Sequence, residues 1–194
     1  MYYVPTANPD PYPPPLDSYL NSAAVTSKIG SQSTWVESNM DVYNQFAASG
    51  DWMRSSLPNL ETVINSGVRT VIYDGDADFI LNYVGVEAMV RASLSFSLTP
   101  RPLLPAVALI SSLVVQVSSL NTRFSAEFAS QDFTSYNVNG KPAGLYKNAG
   151  TFSYLRVFGA GHEVPAYEWR DVPRGAAALQ MFTQIMSGHQ LSST

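Results

Sequence analysis

The chain has 194 residues, 45% hydrophobic and 13% charged, with a formal net charge of -4. That suffices for one core and one domain, or for a piece of a larger one, and the lack of any basic block speaks against a nucleic-acid partner. With no cysteine, disulfides and thiolate metal sites are excluded, while the compartment stays open.

The opening residues, Met1-Tyr2-Tyr3-Val4-Pro5, lack the basic start and apolar run of a signal peptide, so a secretory leader would have to lie upstream. Pro5, Pro9, Pro11 and Pro13 to Pro15 make residues 5–15 an extended, linker-like stretch. Tyr19, Leu20 and Val25 suggest a short helix ending near Gly30. In Ser33 to Gly50 the spacing is mixed, with Val42, Tyr43 and Phe46 on one helical face. Pro58 to Ser66 reads as a helix: Pro58 suits its first turn, Leu60, Val63 and Ile64 share a face, and Gly67 fits the position after the C-cap. Val68 to Tyr73, rich in β-branched residues, reads as a buried strand. A helix, a glycine and a strand form the repeating unit of an α/β sheet.

That strand empties into Asp74-Gly75-Asp76-Ala77-Asp78-Phe79-Ile80. Acids at the carboxyl end of a parallel strand occupy the edge where open α/β sheets collect their active groups. A calcium loop is disfavoured, because Ile80 stands where such a loop needs glycine. Residues 93–120 are atypical: no charge lies between Arg101 and Arg123, and the run is just long enough to span a bilayer, but it is broken by Pro105, Gln116 and serines. Leu145 to Lys147, Asn148-Ala149-Gly150 and Thr151 to Phe158 read as a hairpin. It delivers Gly159-Ala160-Gly161-His162-Glu163-Val164-Pro165, where glycines allow a sharp turn that presents His162 at a strand end. His162 is the obvious carrier of acid–base chemistry near neutral pH, since the only other histidine, His189, lies in the polar tail; alone, it is equally a structural histidine. Arg174 to Ser187 is an amphipathic helix stopped by Gly188, and 189–194 reads as a disordered tail.

The order acid, then histidine, then closing helix matches the last two members of an α/β-hydrolase triad. At this point the residues resemble a known family. Gly75-Asp76-Ala77-Asp78-Phe79-Ile80-Leu81-Asn82-Tyr83-Val84-Gly85 is similar to the acid motif G-D-x-D-x-x-x-N-x-x-G of the serine carboxypeptidases. Gly159 to Pro165 is similar to their histidine motif, G-x-G-H-x-V-P, and Phe152-Ser153-Tyr154-Leu155-Arg156-Val157-Phe158 agrees as well. The resemblance runs from about residue 8 to 188, the atypical segment excepted.

The resemblance implies an α/β fold, the C-terminal part of an α/β-hydrolase sheet with flanking helices, incomplete without its N-terminal half, with residues 1–194 in one domain. It implies a serine-type carboxypeptidase that releases C-terminal residues from peptide substrates through an acyl-enzyme, without cofactor or metal, in secretory or vacuolar compartments under acidic conditions. Carried over by motif position, the triad acid is Asp78 and the base His162. Asp76 is the alternative acid, and otherwise bonds the amides of its turn. Glu163 would help to shape the leaving-group pocket or else face solvent, and Asn82 would brace the acid loop.

Three departures stand out. The family's serine motif G-E-S-Y-A-G and its W-N-G-G-P-G stretch are absent, so the isolated chain is expected to be inactive, and poorly soluble without the missing half. Leu81 replaces a cysteine common among relatives. The interval from Asp78 to His162 exceeds the family's by roughly the length of 93–120, so that segment is either a gene-model error such as a retained intron or a true surface insertion. A single membrane span there would place acid and base on opposite sides of a bilayer. The competing functions are an inactive pseudoenzyme or binding module on the same half-sheet, and a truncated gene-model product with no stable fold.

Overall fold

A computed structural model describes residues 3–5, 16–90 and 120–194. The proline-rich stretch from 6 to 15 and nearly all of the atypical segment lie outside the described residues. The chain divides into two compact units, 12–56 and the remainder.

In the smaller unit, helices α1 (Asp17–Leu20), α2 (Ala23–Ile29) and α3 (Met40–Ser49) are followed by a short 3₁₀ turn, Asp51–Met53. The expected single helix ending at Gly30 is split at Asn21, whose side chain bonds the backbone of Trp35 in both directions, at 3.0 and 2.7 Å. Asn39 caps α3 by accepting from the amides of Asp41 and Val42, and Gly30 and Gly50 close α2 and α3 in left-handed conformations. Val42, Tyr43 and Phe46 share a face of α3 and are exposed.

The larger unit carries the sheet. Helix α4 (Leu57–Asn65) leads through Gly67 into β1 (Thr70–Gly75), and α5 (Tyr83–Val90) follows. After the undescribed stretch come α6 (Ser125–Ser130), β2 (Thr134–Val138), β3 (Lys141–Ala149), β4 (Phe152–Val157), a 3₁₀ turn at Val164–Ala166 and α7 (Ala176–Met186). The sheet order is β1-β4-β3-β2. β1 lies parallel to β4, from Thr70 opposite Phe152 to Gly75 opposite Val157; the other pairs are antiparallel. β1 therefore ends two residues later than the β-branched run suggests, because its partner continues to Val157.

Alternation along β4 assigns its side chains to two cores. Leu155 and Val157 pack with Tyr136, Val138, Ala178 and Met181, beneath α7. Phe152 and Tyr154 pack with Ile64, Val90, Leu120 and Phe128, beneath α4, α5 and α6. Helices on both faces of a mixed sheet are the α/β architecture expected from sequence.

Two features differ from the sequence-based expectations. The first is the β2–β3 hairpin, whose first strand the weak alternation of residues 134–138 conceals. Asn139 and Gly140 both take positive φ, 50° and 74°, between Val138 and Lys141, which face each other. Such a two-residue turn suits the twist of the strands it joins. The second is the tail beyond Gly188, which is not a free end. Leu191 is 2% exposed and belongs to the α7 core. The Asn148 side-chain amide donates to Leu191 O at 2.9 Å, Thr194 N donates to Asn137 O at 3.0 Å and Gly140 N donates to Thr194 O at 2.6 Å. A buried leucine and backbone bonds to β2 hold a segment whose serines and threonine suggest disorder.

The ends of the undescribed stretch meet. Leu120 N donates to Met89 O at 2.9 Å, and Leu120 and Val90 are buried in the same core. The returning chain is held to α4 by Asn121 N donating to Glu61 Oε1 at 2.7 Å and Arg123 N donating to Asn65 Oδ1 at 2.8 Å. In the chain joined to its native upstream sequence, replacing residues 91–119 by a short Gly/Ser bridge should therefore preserve cooperative thermal melting. Loss of the cooperative transition would contradict this.

Candidate active site

The site forms where the β1–β4 ladder ends. Beyond Gly75 the chain turns through Asp76, Ala77 and Asp78. Asp78 Oδ1 accepts from the amides of Ile80, at 2.9 Å, and Leu81, at 3.3 Å. This aspartate turn stabilises the loop and fixes the carboxylate plane. The other oxygen, Oδ2, lies 2.9 Å from His162 Nδ1. The acid side chain is 4% exposed and the imidazole 31%. An ionised carboxylate only accepts, so Nδ1 is the protonated nitrogen and Nε2 carries the basic lone pair. Asn82, at the loop's exit, accepts from Gly85 N at 3.0 Å and starts α5.

The histidine loop is stitched to the acid loop. Asp76 N donates to Val157 O at 3.0 Å, Gly159 N to Asp76 Oδ1 at 2.7 Å, and Ala77 N to Ala160 O at 2.9 Å. Glycines permit this approach. A Cβ on Gly75 would collide with Ala160 O, and one on Gly159, whose φ is 64°, would collide with the Trp169 ring. Val4 N also donates to Ala77 O at 2.8 Å, and the Tyr3 and Tyr167 rings pack at a 36° tilt with centroids 4.8 Å apart. Glu163 is half-buried where the 3₁₀ turn begins, and its carbonyl accepts from Ala166 N at 2.7 Å.

A second group of charges lies under the acid loop, on the α5 face of the sheet. Asp74 accepts from the Tyr154 hydroxyl at 2.7 Å, and Arg156 bonds Glu87 of α5 at 3.0 Å. The Arg156 guanidinium also sits 4.7 Å from the centre of the Tyr83 ring. Asp74 and Glu87 are each 7% exposed. Among the described residues, Asp74 Oδ2 and Arg156 Nε have no hydrogen-bond partner. Burial pushes the Asp74 carboxyl up to about 7, with Glu87 and Asp78 adding to the rise and Tyr154 and Arg156 opposing it. Sequence patterning does not reveal this cluster. Its only trace there is an acid and an arginine, Asp74 and Arg156, set in otherwise apolar strands.

The serine carboxypeptidase family model matches residues 5–188. The chain belongs to the serine carboxypeptidase family. It is similar to "Carboxypeptidase S1" of Penicillium janthinellum, at 33% identity over 195 aligned residues, covering 100% of this chain and 38% of that protein. It is similar also to "Carboxypeptidase Y" of Komagataella phaffii, at 30% identity over 151 residues, or 77% of this chain and 24% of the relative. "Carboxypeptidase Y" of Saccharomyces cerevisiae is 29% identical over 167 residues, or 84% and 26% respectively. The chain thus spans well under half the length of these relatives.

Within this family member, the structure brings Asp78 and His162 together and gives Asp76 a different partner, Gly159 N. Asp76 is thereby engaged with the histidine loop across the site rather than with the amides of its own turn, the alternative role expected from sequence. Among the described residues no helix is long and apolar enough to cross a membrane, and no cluster of acids and histidines could hold a metal ion.

Asp74 makes stability depend on pH. Its folded carboxyl keeps a proton up to about pH 7, whereas the unfolded one releases it near 3.8. Over that window the folded state binds more protons, so stability falls as pH rises and levels off above it. Asp74→Asn should flatten this dependence and stabilise the protein at about pH 8 by on the order of 1–3 kcal/mol, with little effect at about pH 4. Urea melts at both pH values measure it; equal shifts at the two would refute the assignment.

Proposed function

We propose that this chain supplies the acid–base part of a serine carboxypeptidase, with Asp78 and His162 as two members of its triad. The observation carrying the reading is the 2.9 Å contact between Asp78 Oδ2 and His162 Nδ1, formed where two parallel strands end side by side. In this reading His162 Nε2 takes the proton of a serine hydroxyl belonging to sequence outside this chain. The hydroxyl oxygen bonds the scissile carbonyl carbon, and the imidazolium returns its proton to the departing amine of the C-terminal residue. A water, deprotonated by the same nitrogen, then releases the acyl group. Asp78 holds the tautomer and stabilises the imidazolium. Its two amide bonds at Ile80 and Leu81 keep the carboxylate directed at Nδ1. Glu163, next to the base, borders the space for the leaving residue.

The proposal extends to peptide C-termini as substrates and to a secretory or vacuolar setting, in keeping with the family. The chain alone, lacking the G-E-S-Y-A-G serine, turns nothing over. The test is expression of the chain joined to its native upstream coding sequence, with release of C-terminal amino acids from peptides as the assay. His162→Ala and Asp78→Asn should each lower kcat by about 10⁴-fold or more, with KM changed far less. Wild-type turnover by His162→Ala would reject the reading, as would turnover by the isolated chain. A joined protein that folds and binds peptides but never cleaves them would favour the pseudoenzyme instead.

A further inference from the structure

We propose that Asp76 is a positioning residue for His162: its side-chain oxygen captures the Gly159 amide and so holds the histidine loop at the distance from which Nδ1 reaches Asp78. The inference rests on the carboxypeptidase reading and adds a residue to its machinery.

β1 and β4 stay in register up to Gly75 opposite Val157. One more rung follows, Asp76 N donating to Val157 O. The Val157–Phe158 peptide faces both neighbours, its carbonyl toward β1 and its N–H toward β3, where Phe158 N donates to Ala143 O at 2.9 Å. Further on, Ala160 O accepts from Ala77 N at 2.9 Å. Between these rungs stands Gly159, whose φ is 64°; its amide faces the acid loop, where the Asp76 carboxylate receives it at 2.7 Å. The Trp169 ring fills the space on the Cβ side of Gly159, so the glycine is confined between an indole and a carboxylate. Ala160 and Gly161 are the only residues left before His162. A displacement at Gly159 therefore passes directly to the imidazole.

Removing the acceptor leaves two backbone bonds between these loops, at Val157 and Ala160, and none at Gly159 between them. Asp78 would keep its own loop, since its Oδ1 bonds are internal to residues 78–81. The expected defect is thus a displaced histidine facing an undisturbed acid. What Gly159 needs is an acceptor, not a charge. Burial in fact raises the Asp76 carboxyl above its ordinary value, against the pull of the Gly159 amide and of Arg156. Asparagine offers an oxygen at the same reach without the burial penalty of an anion, while alanine offers none.

The test uses the enzyme joined to its native upstream sequence. Asp76→Ala should lower kcat by about 10²-fold, the cost of a misplacement near 1 Å, with KM within a few-fold of wild type. Its downfield proton NMR signal from the His162 Nδ1–H bond to Asp78, assigned by its absence in His162→Ala, should be lost or move upfield, because the imidazole is drawn away from its acid partner. Asp76→Asn should restore both kcat, to within a few-fold, and the signal. A wild-type signal and turnover in Asp76→Ala would overturn the proposal. So would a melting temperature lowered with no change in the His162 signal, which is the mark of a merely structural brace. If Asp76→Ala does not fold, Asp76→Ser, with a shorter acceptor, and Asp76→Asn carry the comparison; a folded Asp76→Asn as defective as Asp76→Ser would overturn it equally. The NMR signal needs no turnover. A joined protein without peptidase activity would therefore remove the carboxypeptidase reading, and the His162 signal of the Asp76 variants would still decide the positional claim.

Discussion

The parallel pairing of β1 with β4 is the constraint on which the rest depends. It ends both strands at one level, Gly75 beside Val157, and so places two loops from distant parts of the chain within reach of each other. Everything chemical follows beyond that level. The acid loop folds on itself through Asp78 Oδ1, which leaves Oδ2 for the imidazole, and the histidine loop is drawn in by bonds at Val157, Gly159 and Ala160. A carboxylate held by amides on one oxygen and by an imidazole on the other has little rotational freedom left.

Glycine sets how close the loops come. Gly75 has no room for a Cβ because Ala160 O occupies it, and Gly159 is pressed against Trp169. The same device appears one strand further in, where Gly144 of β3 lets Arg156 O approach its backbone. Gly75 and Gly144 are not turn residues: they remove side-chain volume so that backbone groups from separate elements approach directly.

How much of this is legible in the sequence depends on the kind of signal. β1, β4, α4 and α7 are legible because their apolar residues recur with the period of a strand or a helix. The acid and the histidine are legible because their neighbours spell family motifs. β2 is obscured: its sequence, Thr134–Val138, alternates polar and apolar residues only weakly, and the useful signal is the Asn139-Gly140 turn that follows it. The tail misleads for a related reason. Its composition is polar, and a single leucine, Leu191, with backbone bonds to β2 outweighs it. The Asp74, Glu87, Tyr154 and Arg156 cluster is illegible because its members come from β1, α5 and β4, and only the sheet order puts them on one face. Charges that meet through tertiary pairing leave no periodic trace.

The interval between acid and base is the last point on which sequence and structure bear on each other. Separation along the chain says nothing about separation in space once a sheet has formed. Met89 and Leu120 are joined by a hydrogen bond, and Val90 and Leu120 share a core, so the chain departs and returns at one place on the α5 side of the sheet. The strand ends that carry Asp78 and His162 are positioned by the β1–β4 register and by bonds within and between their own loops. In this chain the two side chains stand 2.9 Å apart across 84 positions of sequence, because the strand register that brings their loops together is set by packing on both faces of the sheet.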